Sequence, residues 1–296
     1  MDEQSLSFRL LAILFPIFGI VAAGYFYARK HKPEMAVANR LNMDVFVPAL
    51  VFAAMAGKSF DLAAYAPLAL GGFLVLATCG LLAWPIAKLF GIQPKTLVPP
   101  MLFNNSGNIG LPLAVLAYGQ PGFSAMVALF TISNLLHFTL GAWMIDHHAR
   151  MGNLLRNPMV WSTFLGFAFA VVHPPMPEWG SVAIRMVGDA LIPMMLLSLG
   201  VRLYEVRWSD WHLGVIGGLV CPLTGIAIAA LLGPALQLDP MQQGLLIIFG
   251  SLPPAVLNFM VAEQFRQEPA KVASIVLIGN VMSAAFIPLG LAIALH

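Results

Sequence analysis

Charge is scarce in this sequence. Of 296 residues only 9% are Asp, Glu, Lys or Arg, while 59% are hydrophobic. That shortage excludes a water-soluble domain, which needs a solvated shell, and long apolar runs recur from residue 8 to the C-terminus. Cysteine is scarcer still: Cys79 and Cys221, with no CxxC pair, exclude a disulfide framework and a thiol-redox motif and read as packing residues. A net charge of +2 without a basic run excludes a nucleic-acid partner. The apolar runs also lack the period-2 alternation of barrel strands, so the chain must cross lipid as helices.

What is present is a series of ten apolar spans, at roughly 8–27, 37–56, 62–88, 97–118, 122–144, 158–173, 181–201, 211–233, 240–263 and 270–295. The first is retained and is not a signal peptide, because Asp2 and Glu3 precede it without a basic n-region or cleavage site. Ten spans place twelve basic residues on one face, Arg29, Arg40, Arg150, Arg156, Arg202 and Arg207 among them, against Arg9, Lys58 and Arg185 on the other. By the positive-inside rule both termini are then extracytoplasmic, in the cell's inner membrane. The segment 145–157, which holds the adjacent His147 and His148, divides residues 1–144 from 158–296. That histidine pair has no further ligand at metal spacing, so no metal site and no cofactor are expected.

The two halves repeat each other. RLNMDVFVP at 40–48 and RMVGDALIP at 185–193 share R-x-x-x-D-x-x-x-P, LPLAVL at 111–116 matches LPPAVL at 252–257, and TISNLLHF at 131–138 resembles LIGNVMSA at 277–284. The matches fall in one order, and five spans per half is an odd number, so the second half enters the membrane inverted. Inverted five-helix repeats are the architecture of secondary transporters, whose substrate sits near the bilayer midplane at interrupted helices.

Two spans carry such interruptions. In FNNSGNIGLP, Gly107 and Gly110 permit angles that a helix refuses, and Pro112 cannot donate a helical hydrogen bond. In FGSLPPAVLN, Gly250, Ser251, Pro253 and Pro254 interrupt span nine ahead of Asn258. Restarting half-helices present unpaired N–H groups, which bind anions without a fixed cation. Substrate candidates are therefore Asn104, Asn105, Gly107, Asn108, Gly110, Pro112, Asn134, Gly250, Ser251, Pro253, Pro254, Asn258 and Asn280. The same side-chain and freed backbone carbonyls also suit a sodium ion.

Asp44 and Asp189 are acids within spans, where a charge costs roughly 2.5–3.5 kcal/mol at a helix centre. Each lies four residues after an arginine, Arg40 or Arg185, so an intrahelical ion pair competes with a coupling or support role. Asn42 adds polarity beside Asp44, and His137 lies one turn after Asn134. An intramembrane aspartyl protease built on the Asp pair is disfavoured by MVGDALIP, which lacks G-x-G-D. A channel or receptor has no charged ring or soluble signalling domain to support it.

The pattern N-x-G-N-x-G-x-P at Asn105, Gly107, Asn108, Gly110 and Pro112, together with the broken ninth span, resembles the auxin efflux carrier family in a compact bacterial form without a long central loop. The resemblance implies a non-enzymatic carrier of mono- or dicarboxylates or auxin-like acids, with no cofactor. It implies an elevator mechanism: spans one, two, six and seven form a homodimerising scaffold, and spans three to five and eight to ten form the transport domain. The substrate carboxylate would sit where spans four and nine cross, and Asp44 matches a polar support position on span two. Sodium-coupled bile-acid-type transporters look related, so H+ or Na+ coupling stays open.

Overall fold

The computed structural model describes residues 5–57, 62–145, 158–172, 174–204 and 210–296. Lys58, His147, His148, Arg150, Arg156 and Arg207, used above for topology or metal binding, lie outside these residues. Among the described residues the fold is all helical: α1 Leu6–His31, α2 Ala36–Leu41, π1 Asn42–Phe46, α3 Val47–Met55, α4 Leu62–Leu89, α5 Pro94–Leu102, π2 Ser106–Gly110, α6 Leu111–Leu136, π3 His137–Gly141, α7 Ala142–Ile145, α8 Pro158–Val172, α9 Glu178–Asp189, α10 Leu191–Tyr204, α11 Trp211–Ala235, α12 Pro240–Ser251, α13 Leu257–Gln264 and α14 Pro269–Ala294.

Local chemistry sets the ends of these helices. Ser5 caps α1 by accepting from the Phe8 N–H, and Lys32 closes it in the left-handed conformation. Asp239 caps α12 by accepting from the Gln242 N–H at 2.9 Å, with Pro240 in the first turn. Two of the three π-helical turns precede a proline, which cannot continue an ordinary ladder. Pro48 removes the donor that the Asp44 carbonyl would accept, and the Val47 N–H reaches back to Asn42. Pro112 does the same for Asn108, and the Leu111 N–H reaches Ser106.

Among the described residues, seven helical stretches are long and apolar enough to cross a bilayer: Leu6–His31, Ala36–Met55, Ala63–Leu89, Ser106–Ile145, Glu178–Tyr204, Trp211–Ala235 and Pro269–Ala294. The stretch Ser106–Ile145, 40 residues, is two helices joined across a kink at Gly119, between spans four and five of the sequence reading. At 1.5 Å per residue it measures about 60 Å, twice the roughly 30 Å hydrocarbon layer. It kinks at Gly119, whose φ of 66° and ψ of −154° lie outside the helical region. The remaining apolar segments, α5, α8, α12 and α13, are shorter.

α1 packs along α10, and α3 packs against α8 and α9; α11 packs against α12 and α14, and α4 against α5 and α6. The first pairing is backbone to backbone. A Cβ on Gly24 would collide with the Leu197 carbonyl and one on Gly200 with that of Val21, the small-residue contact by which helices approach in lipid.

A polar latch joins the starts of α5 and α14. The buried Thr96 hydroxyl and the Lys271 ammonium both donate to the Glu268 carboxylate. Burial works to raise the Glu268 pKa, but these donors outweigh it and leave the group below its ordinary value. A depressed carboxylate stabilises the fold above the ordinary carboxylate range, and that stabilisation disappears as pH falls through its folded pKa. Glu268→Gln should therefore lower stability by about 1 kcal/mol near neutral pH. Thermal melts across pH should show the difference from wild type fading below about pH 4.

Candidate functional site

The two interrupted helices meet at a short antiparallel bridge between Asn104 and Pro254. The Asn105 N–H donates to the Pro253 carbonyl at 2.7 Å, and the Ala255 N–H donates to the Phe103 carbonyl at 2.9 Å. Two short non-helical segments joined by this isolated bridge thus interrupt the two broken helices. Pro253 cannot donate to the Phe249 carbonyl four residues earlier, and the Asn104 amide fills that place at 2.6 Å. Asn258 donates to the Phe103 carbonyl at 3.0 Å, and Asn280 donates to the Pro254 carbonyl at 3.0 Å. Asn105 closes the set by donating to the Asn280 amide oxygen at 2.9 Å.

These amides therefore hold the break together; Asn258 and Asn280 each donate twice to protein carbonyls, and Asn104 and Asn105 once each to protein acceptors. Asn134 and Asn280, which the sequence comparison of the two halves aligns, make the same local bond, each donating to the carbonyl four residues back, Phe130 and Val276. Asn280 adds the long-range bonds; Asn134 lines the cavity below instead.

Beside the bridge lies a cavity of about 90 Å³. Its wall includes Asn104 to Asn108, which begin the helix running through π2, and Ala255 to Leu257, which begin α13. In π2 the first intrahelical bond is from the Ile109 N–H to the Asn105 carbonyl at 3.2 Å, so the Ser106, Gly107 and Asn108 N–H groups precede it. In α13 the first is from the Asn258 N–H to the Ala255 carbonyl at 3.1 Å, and Val256 and Leu257 precede it. Both helix starts face one space. Asn42, Asn134 and His137 complete the part of the wall anticipated from sequence, with the His137 ring stacked on Phe103 at 4.2 Å between centroids.

The glycines act differently from expectation. Gly110 has ordinary helical angles, φ −63° and ψ −47°, and Gly107 and Gly250 are likewise within helical turns without positive φ. Their function is close approach. A Cβ on Gly107 would come within 2.8 Å of the Phe130 ring, and one on Gly110 within 3.0 Å of Leu252. One on Gly250 would collide with the Gly225 carbonyl of α11. Pro112, Ser251, Pro253 and Pro254 are buried at the break but outside the cavity wall; Ser251 donates to the Ile248 carbonyl at 2.7 Å.

Asp44 and Asp189 do not line the cavity; both are exposed. The π1 turn advances the chain by five residues instead of four, which brings Asn42 and Met43 to the cavity and turns Asp44 away. Among the described residues neither Arg40–Asp44 nor Arg185–Asp189 forms the ion pair that i, i+4 spacing suggested.

Sequence reasoning missed Asn39, Ser106, Ser133, Ser198 and Arg202, all in the wall. Arg202 entered the reading only as a topological charge near a span end. The signal that could have found it is Ser198, one turn earlier on the same face of α10.

An all-helical chain with several bilayer-length apolar helices and a polar cavity between broken helices is a multi-pass membrane protein. The family model described as "Membrane transport protein" matches residues 149–290, the second half of the chain. Over nearly its whole length the chain is similar to the "Putative malonate transporter" of Rhizobium meliloti (strain 1021), 24% identical across 94% of this chain and 93% of that one. "Auxin efflux carrier component 3a" of Oryza sativa subsp. japonica and "Auxin efflux carrier component 4" of Arabidopsis thaliana are each 26% identical over 137 residues, 44% of this chain and 22% of theirs. The resemblance read in FNNSGNIGLP is thus met by relatives of the auxin efflux carrier family, and these findings point to a transporter and not to an enzyme.

Proposed function

We propose that the chain is a secondary carrier of small organic anions, mono- or dicarboxylates or auxin-like acids, that binds its substrate where the two broken helices cross. The observation that carries this reading is the single cavity walled by both half-helix starts, Asn105 to Asn108 and Ala255 to Leu257. Oriented N–H groups and the positive ends of two helix dipoles favour a carboxylate there.

Ten spans arise from the seven long stretches when Ser106–Ile145 is divided at Gly119, α8 is counted, and α12 with α13 forms one broken span. In the proposed orientation both termini are extracytoplasmic in the inner membrane, and the cavity lies toward the cytoplasmic half, where Asn39 and Arg202 end their spans. The packing of α1 with α10 and of α3 with α8 and α9 suits a homodimerising scaffold; α4 to α7 with α11 to α14 then form a domain that moves as an elevator.

The test is uptake of a carboxylate panel into proteoliposomes. Wild type should accumulate at least one such acid. Pro112→Ala, which returns a donor to the Asn108 carbonyl and closes the helix start, should lower uptake at least tenfold with reconstitution intact. Uptake by that variant equal to wild type would remove the broken helix from the mechanism.

A second reading, coupling to sodium or protons, is favoured by a separate observation. The Asn42 and Asn104 amide oxygens and the Ser198 hydroxyl are buried without a protein hydrogen-bond partner, and all three residues line the cavity. Such acceptors suit a cation or a proton-bearing group. Uptake measured with sodium and pH varied independently tests it, and indifference to both would discard it.

A further inference from the structure

His137, on the π3 turn, lines the cavity and is 3% exposed. Packing alone fixes its ring. One face stacks on Phe103, with 8° between the planes, and a Cβ on Gly141 would come within 3.0 Å of the ring Cδ2. The Phe103 carbonyl accepts from Ala255 and Asn258 at the break, so the ring is tied to the crossing itself. Among the described residues the imidazole has ring contacts and no hydrogen bond. A buried imidazole ordinarily has one, since its neutral form offers one donor and one acceptor. Its surroundings also hold no counter-charge for an added proton. Among the described residues the wall has no acidic side chain, and its other ionisable member, Arg202, is a cation. The elements against π3 bring no acid either: α7 has no ionisable group, α6 has only the Tyr118 phenol, which donates to the Ala294 carbonyl, and the one charge of α5, Lys95, donates to the Ile145 carbonyl. Both helix starts turn their positive ends to the same space.

Resting on the carrier reading above, and deepening its coupling branch, we propose that His137 carries one proton across the membrane with each organic anion, so that the chain is a proton and anion symporter. An anion entering the cavity brings the counter-charge that the wall lacks. A carboxylate beside an imidazole favours the protonated ring, and by linkage the proton strengthens anion binding by the same factor. The proton is taken from water on the side to which the cavity opens and adds to the unprotonated ring nitrogen. Both nitrogens then donate, and the anion accepts. On the opposite side the anion leaves first, the proton loses its counter-charge and returns to water, and the empty carrier resets without moving a proton. No bond to the anion forms at any stage. The stack on Phe103 holds the ring beside the two helix starts throughout, which puts the proton and the anion in one space.

The experiment uses the purified full chain in proteoliposomes with the membrane potential clamped at zero. Radiolabelled malonate is the probe, and protein-free vesicles correct for diffusion of the undissociated acid. At equal pH on both sides wild type should bring the label only to equilibrium. With the outside about one pH unit more acidic, one proton per anion should accumulate the label about tenfold. His137→Gln keeps a donor and an acceptor but cannot carry the proton, so it should reach equilibrium and no further under the same gradient. A merely structural role for His137 would slow entry and leave the tenfold ratio in place; accumulation retained by His137→Gln therefore overturns the assignment. Wild type that moves malonate without accumulating it overturns proton coupling and leaves the carrier standing, whereas failure of wild type to move any organic acid overturns the carrier reading instead. Should His137→Gln move no malonate, nitrogen NMR of the histidine-labelled wild type decides. Malonate should convert one of the seven imidazoles from the neutral to the charged form, and no conversion overturns the proposal.

Discussion

Asn280→Ala should lose both stability and transport. The side chain donates to the Pro254 and Val276 carbonyls and accepts from the Asn105 amide. Truncation leaves the Pro254 carbonyl and the Asn105 amide at the break without these partners, away from bulk water. Each orphaned group costs about 1–3 kcal/mol, so a loss of roughly 2–6 kcal/mol is expected, read as a lowered midpoint in a detergent unfolding series. The Phe249 carbonyl, in the same broken helix as Pro254, depends on Asn104 in the same way. Because the two amides support one bridge, Asn104→Ala and the double variant should be less than additive, with a coupling of about 0.5 kcal/mol or more. Strict additivity would mean that the two halves of the break do not depend on each other.

Gly250→Ala should be as damaging for a different reason. α11 and α12 touch backbone to backbone at Gly225 and Gly250, and a Cβ on either collides with the carbonyl of the other. Main chain cannot swing aside as a side chain does, so the helices must separate. Overpacking of this kind costs about 1–3 kcal/mol, and the contact lies one residue before Ser251 and the break. Lower stability and at least a tenfold fall in uptake are expected from Gly250→Ala. Gly19→Ala supplies the contrast, since a Cβ there meets nothing within 4 Å and should leave both quantities unchanged. Equal behaviour of the two variants would show that the Gly225–Gly250 contact has no special role.

Much of this was legible in residue order, because proline and glycine act locally. The runs NNSGNIGLP and GSLPP announce interrupted helices wherever the rest of the chain goes, and the structure places their ends against each other. What the order of residues does not contain is the pairing of bonds across the break. Asparagines that looked like ligands prove to be donors to carbonyls far along the chain, such as Asn104 to Phe249 and Asn258 to Phe103. The glycines were read for freedom of angle, yet they serve separation distance, a property of two helices and not of one. Asp44, singled out as an acid within a span, lies exposed at a π-helical turn and outside the cavity wall. Arg202 was invisible because its sequence neighbours mark it as a span-end charge, and only the approach of α10 to α13 gives it a chemical setting.

The proposed carrier moves an organic anion from a site walled by two helix starts. Counterflow tests this most directly: proteoliposomes loaded with unlabelled malonate are diluted into trace radiolabelled malonate with the membrane potential clamped at zero. A carrier exchanges its substrate through alternating access, so the label should rise transiently above equilibrium, and the Pro112→Ala protein should abolish the overshoot. Label entering only to equilibrium, or an overshoot untouched by Pro112→Ala, would contradict the account.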